Sequence, residues 1–208
     1  MSTGLRNQIG LGLLVAWLLA SALGYWWYQA RYLTTYHSPD STQSKPDEVR
    51  ARLEAGWQAV VEGQNLRKAS ATLVHFSMPG CPCSEASLQH LRSLYEKFRL
   101  SGLQIVQAAD QFRDFPEPVN EQTRKIEMPN LWSEVKAVPA AALFAEDGRL
   151  IYFGPYSSGP SCGNGINFVD NELQQLYQQH NQQRTGNQLL PWINNLAFGC
   201  FCSTGQRT

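Results

Sequence analysis

The sequence has no surplus of charge of either sign: 17 lysines and arginines stand against 17 aspartates and glutamates. A nucleic-acid partner demands a basic face, so this balance argues against one. Charged residues make up only 16% of the chain, while hydrophobic ones reach 43%, enough for a packed core and too many for wholesale disorder. No internal repeat is present. The chain also lacks any Cys-x-x-Cys sequence. Its five cysteines fall instead into two Cys-x-Cys pairs, Cys81/Cys83 and Cys200/Cys202, and the single Cys162.

Ile9 to Tyr28 (IGLGLLVAWLLASALGYWWY) is a run of 20 residues without a charge. A bilayer core of roughly 30 Å needs about 20 such residues as helix. Tyr25, Trp26, Trp27, Tyr28 and Tyr32 gather at one end, as aromatic residues do at a membrane interface. Arg6 precedes the span and Arg31 follows it, so charge sets the orientation only weakly. Ala20-Ser21-Ala22 offers a signal-peptidase-like site as an alternative. The anchor reading is preferred because the apolar run continues past that site. Either reading exports the rest of the chain.

The expected organisation is a short cytoplasmic N-terminus (1–8), a transmembrane signal-anchor (9–30), a linker (31–45), one folded domain (46–183) and a cysteine-containing tail (184–208). Pro46, Asp47 and Glu48 suit a helix start, and Val49, Leu53, Trp57 and Val60 continue it at helical spacing. Ala71 to Ser77 reads as a strand, broken by Met78-Pro79-Gly80. Leu88, Leu91, Tyr95 and Phe98 mark the apolar face of a second helix, stopped by Gly102. Leu103 to Ala108 reads as a strand. Residues 110–136 are read as irregular, with a short helix near 131–136. Val138 to Phe144 is a strand opened by proline, and Asp147-Gly148 turns it into a further strand, Arg149 to Phe153. A last helix is expected over about 167–183.

Two segments carry a family resemblance. In HFSMPGCPCS a strand ends and a cysteine opens the next helix, with Phe76 five residues before Cys81. VKAVPAAALFAEDGRLIYFG contains a proline after a β-branched residue, then a strand, a turn and a second strand. In this order the segments resemble the thioredoxin-like superfamily, over roughly residues 46–183, and the whole chain resembles a membrane-anchored branch of it with a Cys-Pro-Cys centre. The fold implied is α/β: a central mixed four-stranded sheet flanked by helices, here with an N-terminal transmembrane helix. Three features depart from the family pattern. The dithiol spacing is Cys-x-Cys, with Ser84 in the place of the usual second cysteine. Gly80 replaces the usual aromatic, and His75 replaces a buried acid.

The resemblance implies a cis Val138-Pro139 bond beside the dithiol, with the Val138 backbone pairing an extended substrate segment. The bland alternative is a proline that merely begins an edge strand. A helix N-terminus lowers a thiol's pKa, so Cys81 is the expected nucleophile and Cys83 the expected resolving thiol. Residues i and i+2 of a helix do not face each other. A Cys81–Cys83 disulfide would therefore be strained, and strained disulfides are oxidising. The expected activity is that of an oxidant or isomerase. His75 is a candidate proton relay, or else a satisfied core histidine.

Cys162, Cys200 and Cys202 leave three readings open. The tail pair shuttles electrons to Cys81/Cys83; or Cys162 pairs with a tail cysteine as a staple; or the two Cys-x-Cys pairs hold Cu(I) or Zn(II). Zinc sites usually space paired cysteines by two to four residues, which counts against the last. The expectation overall is a thiol–disulfide oxidoreductase acting on exported protein thiols, without cofactor or bound metal. It would be anchored by a single pass in a bacterial-type inner membrane with its domain on the periplasmic side. A thiolate metal carrier and a non-catalytic thioredoxin-fold binding module are the alternatives.

Overall fold

The computed structural model describes residues 3–36, 45–64, 66, 69–109, 123–159, 165–181, 192–194 and 196–205. Helix α1 (Thr3–Tyr32) leads directly into the short strand β1 (Leu33–Thr35). Helix α2 (Pro46–Gln64) carries Asp47 and Glu48 in its first turn, where acids face the positive end of the helix dipole. The core begins with β2 (Ala71–Phe76), α3 (Pro82–Phe98) and β3 (Leu103–Ala109), a βαβ arrangement with β2 and β3 parallel. Strand β4 (Arg124–Glu127), helix α4 (Pro129–Trp132) and strand β5 (Ala137–Val138) follow. The hairpin β6 (Ala140–Ala145) and β7 (Leu150–Gly154) then precedes α5 (Phe168–Asn181). Three short strands end the chain: β8 (Trp192–Ile193), β9 (Phe198–Cys200) and β10 (Cys202–Ser203).

The main sheet has the order β4-β3-β2-β6-β7-β8. Its middle four strands, with β6 antiparallel to both β2 and β7, form the mixed sheet of a thioredoxin-like fold. Strand β2 is buried along its whole length, which explains why ATLVHF reads as continuously apolar rather than alternating. Side chains from α3 and α5 cover one face, where Phe98 stacks on Tyr177 and Lys97 pairs with Asp170. Helices α2 and α4 cover the other. There Trp57 stacks on Phe144 at 5.0 Å, and Phe76 meets Trp132 edge-on. At Gly56 the two helices approach so closely that a Cβ would stand 2.7 Å from Leu131 Cδ1. The bidentate Arg52–Glu134 pair closes the same seam at the surface.

Three expectations are corrected and one is extended: the central four-stranded sheet gains β4 and β8 at its two edges, making six strands. Strand β4 lies within the stretch read as irregular: its pattern is too short and polar to announce a strand, and parallel pairing with β3 makes it one. The short helix is Pro129–Trp132 rather than 131–136, its start set by Pro129 at the first helical position. Residues 33–35, read as linker, pair antiparallel with the tail strand β9.

Helix α1 contains a stretch, Asn7–Tyr32, long and apolar enough to cross a membrane. Its 26 residues span about 39 Å as a helix, against a hydrocarbon core of roughly 30 Å. Ile9, Leu13, Trp17 and Leu23 are exposed along it, while Tyr28 and Tyr32 pack against the folded domain at its end. A signal sequence has the same composition, so helix length and character are compatible with either role.

Candidate functional site

The strand β2 delivers the chain to Met78-Pro79-Gly80, where Gly80 takes a φ of +73° that a side chain would disfavour. This reverses the chain so that Cys81 arrives at the N-cap of α3 with extended dihedrals, φ −92° and ψ 111°. Pro82 fills the first helical position, where no backbone donor is needed. The amides of Ser84 and Glu85 both donate to the Cys81 carbonyl, and the Met78 amide donates to Ser84 Oγ. Ser84, in the place of the family's usual second cysteine, thus ties the turn to the helix. Cys81 and Cys83 are each only 1% exposed.

Val138-Pro139 is a cis peptide bond. The Val138 carbonyl oxygen stands 3.9 Å from Cys81 Sγ, so the predicted proline and the predicted nucleophile are neighbours. The edge of Val138 is already paired. Strand β10 lies antiparallel on β5, with Cys202 opposite Val138 and Ser203 opposite Ala137. Beyond it, the Thr204 amide donates to the Lys136 carbonyl and Thr204 Oγ1 to the Val135 carbonyl.

The cysteines pair across the two motifs. Cys81 is joined to Cys202 and Cys83 to Cys200, with Cα–Cα separations of 6.2 and 5.6 Å. The Cys81–Cys83 bridge considered from the sequence is replaced by this antiparallel pair of cross-links. Cys81 is extended at the N-cap and Cys83 lies in the first helical turn, and each sulfur meets a tail cysteine instead. In the extended tail, by contrast, residues two apart share a face. Cys200 and Cys202 therefore both point at the helix start, and Phe201 points away, edge-on to Tyr36 at 5.4 Å. The argument for an oxidant from a strained three-residue loop loses its premise here. Cys162 lies outside the described residues.

The tail is clamped on its second edge by the strand that continues α1. Strand β9 pairs with β1, Cys200 opposite Leu33. The Phe201 amide donates to the Tyr32 carbonyl, the Tyr36 amide donates to the Ala197 carbonyl, and the Tyr28 hydroxyl donates to Cys200 Sγ at 3.2 Å. Gly199 is required by closeness: a Cβ there would stand 2.9 Å from the Gly159 carbonyl oxygen and 3.0 Å from the Phe201 ring. Sequence reasoning missed this tail strand. Its signal was the alternation Phe198, Cys200, Cys202 against Phe201, a period of two in a segment read as polar tail.

His75 is fully buried, and its Nδ1 is 2.7 Å from the Tyr156 hydroxyl. Burial pushes its pKa down to about 3, so the ring is neutral at neutral pH and a weak base. His90 on α3 meets the same tyrosine edge-on, and burial lowers its pKa too, with Asp170 opposing. A histidine depressed in the folded state is protonated first in the unfolded chain. Stability is therefore full above pH 6.5 and falls as the pH drops from there towards 3. Between pH 7 and 5, His75 alone should remove about 2 kcal/mol from the unfolding free energy. Urea melts of the wild type and His75→Asn at the two pH values measure it. An identical pH slope in both would exclude His75 as its source.

No curated protein matches the sequence. Among solved structures, the chain is similar to a hypothetical protein from Sinorhizobium meliloti 1021, at 16% identity with 65% of this chain and 79% of that one covered, TM-score 0.44. An uncharacterized conserved protein from Geobacillus kaustophilus is similar at 16% identity, with 85% and 88% covered and TM-score 0.44. An uncharacterized thioredoxin-like protein from Bacteroides vulgatus is similar at 18% identity, with 55% and 76% covered and TM-score 0.37. A family model, described as a domain of unknown function (DUF6436), matches residues 52–204, a stretch that takes in both Cys-x-Cys pairs and the cis-proline. The chain belongs to the DUF6436 family.

Proposed function

We propose that the protein is a thiol–disulfide oxidoreductase for exported protein thiols whose dithiol, Cys81/Cys83, works with a second dithiol, Cys200/Cys202, on its own tail. One observation carries the reading. The tail strand lies on Val138 beside cis-Pro139, the edge where the thioredoxin resemblance puts a substrate strand, and its Cys202 sulfur is joined to Cys81. The tail behaves as a substrate segment covalently belonging to the enzyme.

In the reduced protein, the Cys81 thiolate attacks one sulfur of a client disulfide and expels the other client sulfur as a thiolate. Cys202, as thiolate, then attacks Cys81 Sγ and expels the second client thiolate. The client gains two electrons, and the protein gives up two in forming the Cys81–Cys202 bond. The same steps reversed oxidise a client dithiol. Pairing with Cys81 favours Cys202 over Cys83 as the resolving thiol. Val138 and Pro139 hold the tail strand, or a client strand in its place once the tail has left that edge, and His75 supports the site without exchanging protons. Helix α1 suits attachment to a bacterial-type inner membrane with the domain on the periplasmic side.

Glutathione disulfide provides the test. Reduced Cys202→Ser should accumulate a stable glutathione adduct on Cys81, while the reduced wild type should pass through it to the Cys81–Cys202 bond. Mass spectrometry of acid-quenched, alkylated protein reads both. Absence of any adduct on Cys81 would sink the exchange reading. Accumulation in Cys83→Ser rather than Cys202→Ser would return the resolving role to Cys83.

A further inference from the structure

The same four cysteines have a second chemistry when both bridges are open. The Sγ atoms of Cys81, Cys83 and Cys202 all lie within 4.8 Å of one another, and Cys200 is bonded to Cys83. In a tetrahedral thiolate site with metal–sulfur bonds of about 2.3 Å, neighbouring sulfurs stand roughly 3.8 Å apart. A disulfide holds its sulfurs at about 2.05 Å, so each pair must part by less than about 2 Å to reach that spacing. A change of side-chain torsion supplies such a shift without moving the backbone.

The backbone has reasons of its own to stay. The tail is paired on both edges, to β1 and to β5, and Phe201 and Thr204 add hydrogen bonds outside the ladders. None of these contacts involves sulfur. Reduction therefore leaves the four thiols facing one another across the start of α3. No histidine or carboxylate joins the cluster among the described residues. Cys81, Cys83 and Cys200 are buried. A sulfur-only donor set in an apolar setting selects thiophilic ions over hard ones. The N-terminus of the 17-residue α3 offsets thiolate charge, and the Tyr28 hydroxyl is placed to donate to Cys200 Sγ.

We infer that the fully reduced protein binds one thiophilic d10 cation, Cu(I) or Zn(II), through Cys81, Cys83 and Cys202 with Cys200 as the fourth ligand, the ion bridging helix α3 to the tail strand. The short Cys-x-Cys spacing, which counts against a zinc loop, is no obstacle here: one pair sits at a helix start and the other on a strand. Each disulfide takes two electrons and two protons from a dithiol donor to give two thiols. The cation then displaces the thiol protons to water as the thiolates bind it. Oxidation of the thiolates to the two disulfides leaves no ligand, so metal binding and cross-linking exclude each other at one site. The inference rests on the proposal that both pairs open, but not on exchange with clients.

The full chain in detergent micelles, reduced with a phosphine under argon and freed of it, is titrated separately with Zn(II) against a chromophoric chelator and with Cu(I) against bathocuproine. Co(II) serves as a spectroscopic reporter. The expected result is one ion per chain, with Co(II) giving the intense sulfur charge-transfer and visible bands of a tetrahedral thiolate site. The oxidised protein should bind none, and Cys81→Ser and Cys202→Ser should each weaken binding at least 100-fold. Far-ultraviolet circular dichroism of the reduced protein checks that the fold persists without relying on any variant. Reduced wild type that binds no more ion than oxidised wild type overturns the inference. So does binding retained in Cys81→Ser/Cys202→Ser, or loss of fold on reduction. Binding without glutathione exchange would remove only the oxidoreductase reading, and exchange without binding only this one.

Discussion

Converting Cys83 and Cys200 to alanine is expected to cost about 2 kcal/mol of unfolding free energy, and converting all four paired cysteines about 5–7 kcal/mol. The inequality follows from how the two loops nest. Cys81–Cys202 and Cys83–Cys200 close sequence separations of 121 and 117 residues. By chain entropy, closing a loop of that size contributes about 4.7 kcal/mol. Once one bridge exists, the other closes only the small ring formed by residues 81–83 and 200–202, worth about 2 kcal/mol by the same relation. Either pair alone therefore carries most of the stabilisation, and losing the second pair is the large step. Urea denaturation of the two double variants and the quadruple variant, followed by tryptophan fluorescence, measures all three. Losses for the two pairs that add up to the loss of the quadruple variant would show that the bridges are not concentric in solution.

Deleting residues 198–208 is expected to raise the reactivity of reduced Cys81 towards an aromatic disulfide at least 100-fold over reduced Cys200→Ser/Cys202→Ser. The comparison separates two kinds of cover. The serine variant loses both covalent bonds but keeps β10 on Val138 and β9 on β1. Cys81 is 1% exposed in that packing, and a thiol must be reached to react. The deletion removes the strand itself and bares the Val138 edge along with the sulfur. Helix-terminal placement of Cys81 is unchanged in both, so a lowered thiol pKa cannot account for the difference. Stopped-flow thiol assays at matched pH read the ratio. Equal rates would mean that the tail leaves the domain as soon as its disulfides open, and that the backbone pairing by itself is too weak to hold it.

That second result bears on how the domain is held to α1. The tail is sandwiched between β5 and the strand that directly continues α1, so it joins the apolar helix to the reactive centre. Tyr28, Tyr32, Leu33, Thr34, Thr35 and Tyr36, on α1 and the chain that continues it, meet the tail through hydrogen bonds or pairing. In the proposed redox cycle, opening both bridges would leave strand pairing and hydrogen bonds to connect the tail to α1 and to Val138.

Much of this protein is legible locally. The apolar run of α1, the heptad-like face of α3, the Asp147-Gly148 turn and the proline after Val138 are short-range patterns. They were enough for the order of the core elements and for a thioredoxin-like sheet. The position of Cys81 at a helix start followed from Pro82, because proline favours the first turn whatever the rest of the chain does. Strands β4 and β8 were not legible. They are four and two residues long, and only a neighbour in the sheet makes them strands.

The cysteines mark the same boundary. Their spacing alone was compatible with a Cys81–Cys83 bridge served by a tail shuttle, a staple to Cys162 or a metal cluster. Which sulfur meets which depends on contacts across more than a hundred residues, and no periodicity carries that information. Tertiary structure decided it by laying an extended tail, with its side chains alternating, against a helix N-terminus. Sequence by itself determined that this chain has an apolar anchor-like helix, a thioredoxin-type core and a thiol at the head of a helix. Only the folded chain decided that the thiol's partner is its own C-terminal strand, because strand pairing is a long-range choice made by two edges left free, at β1 and at Val138.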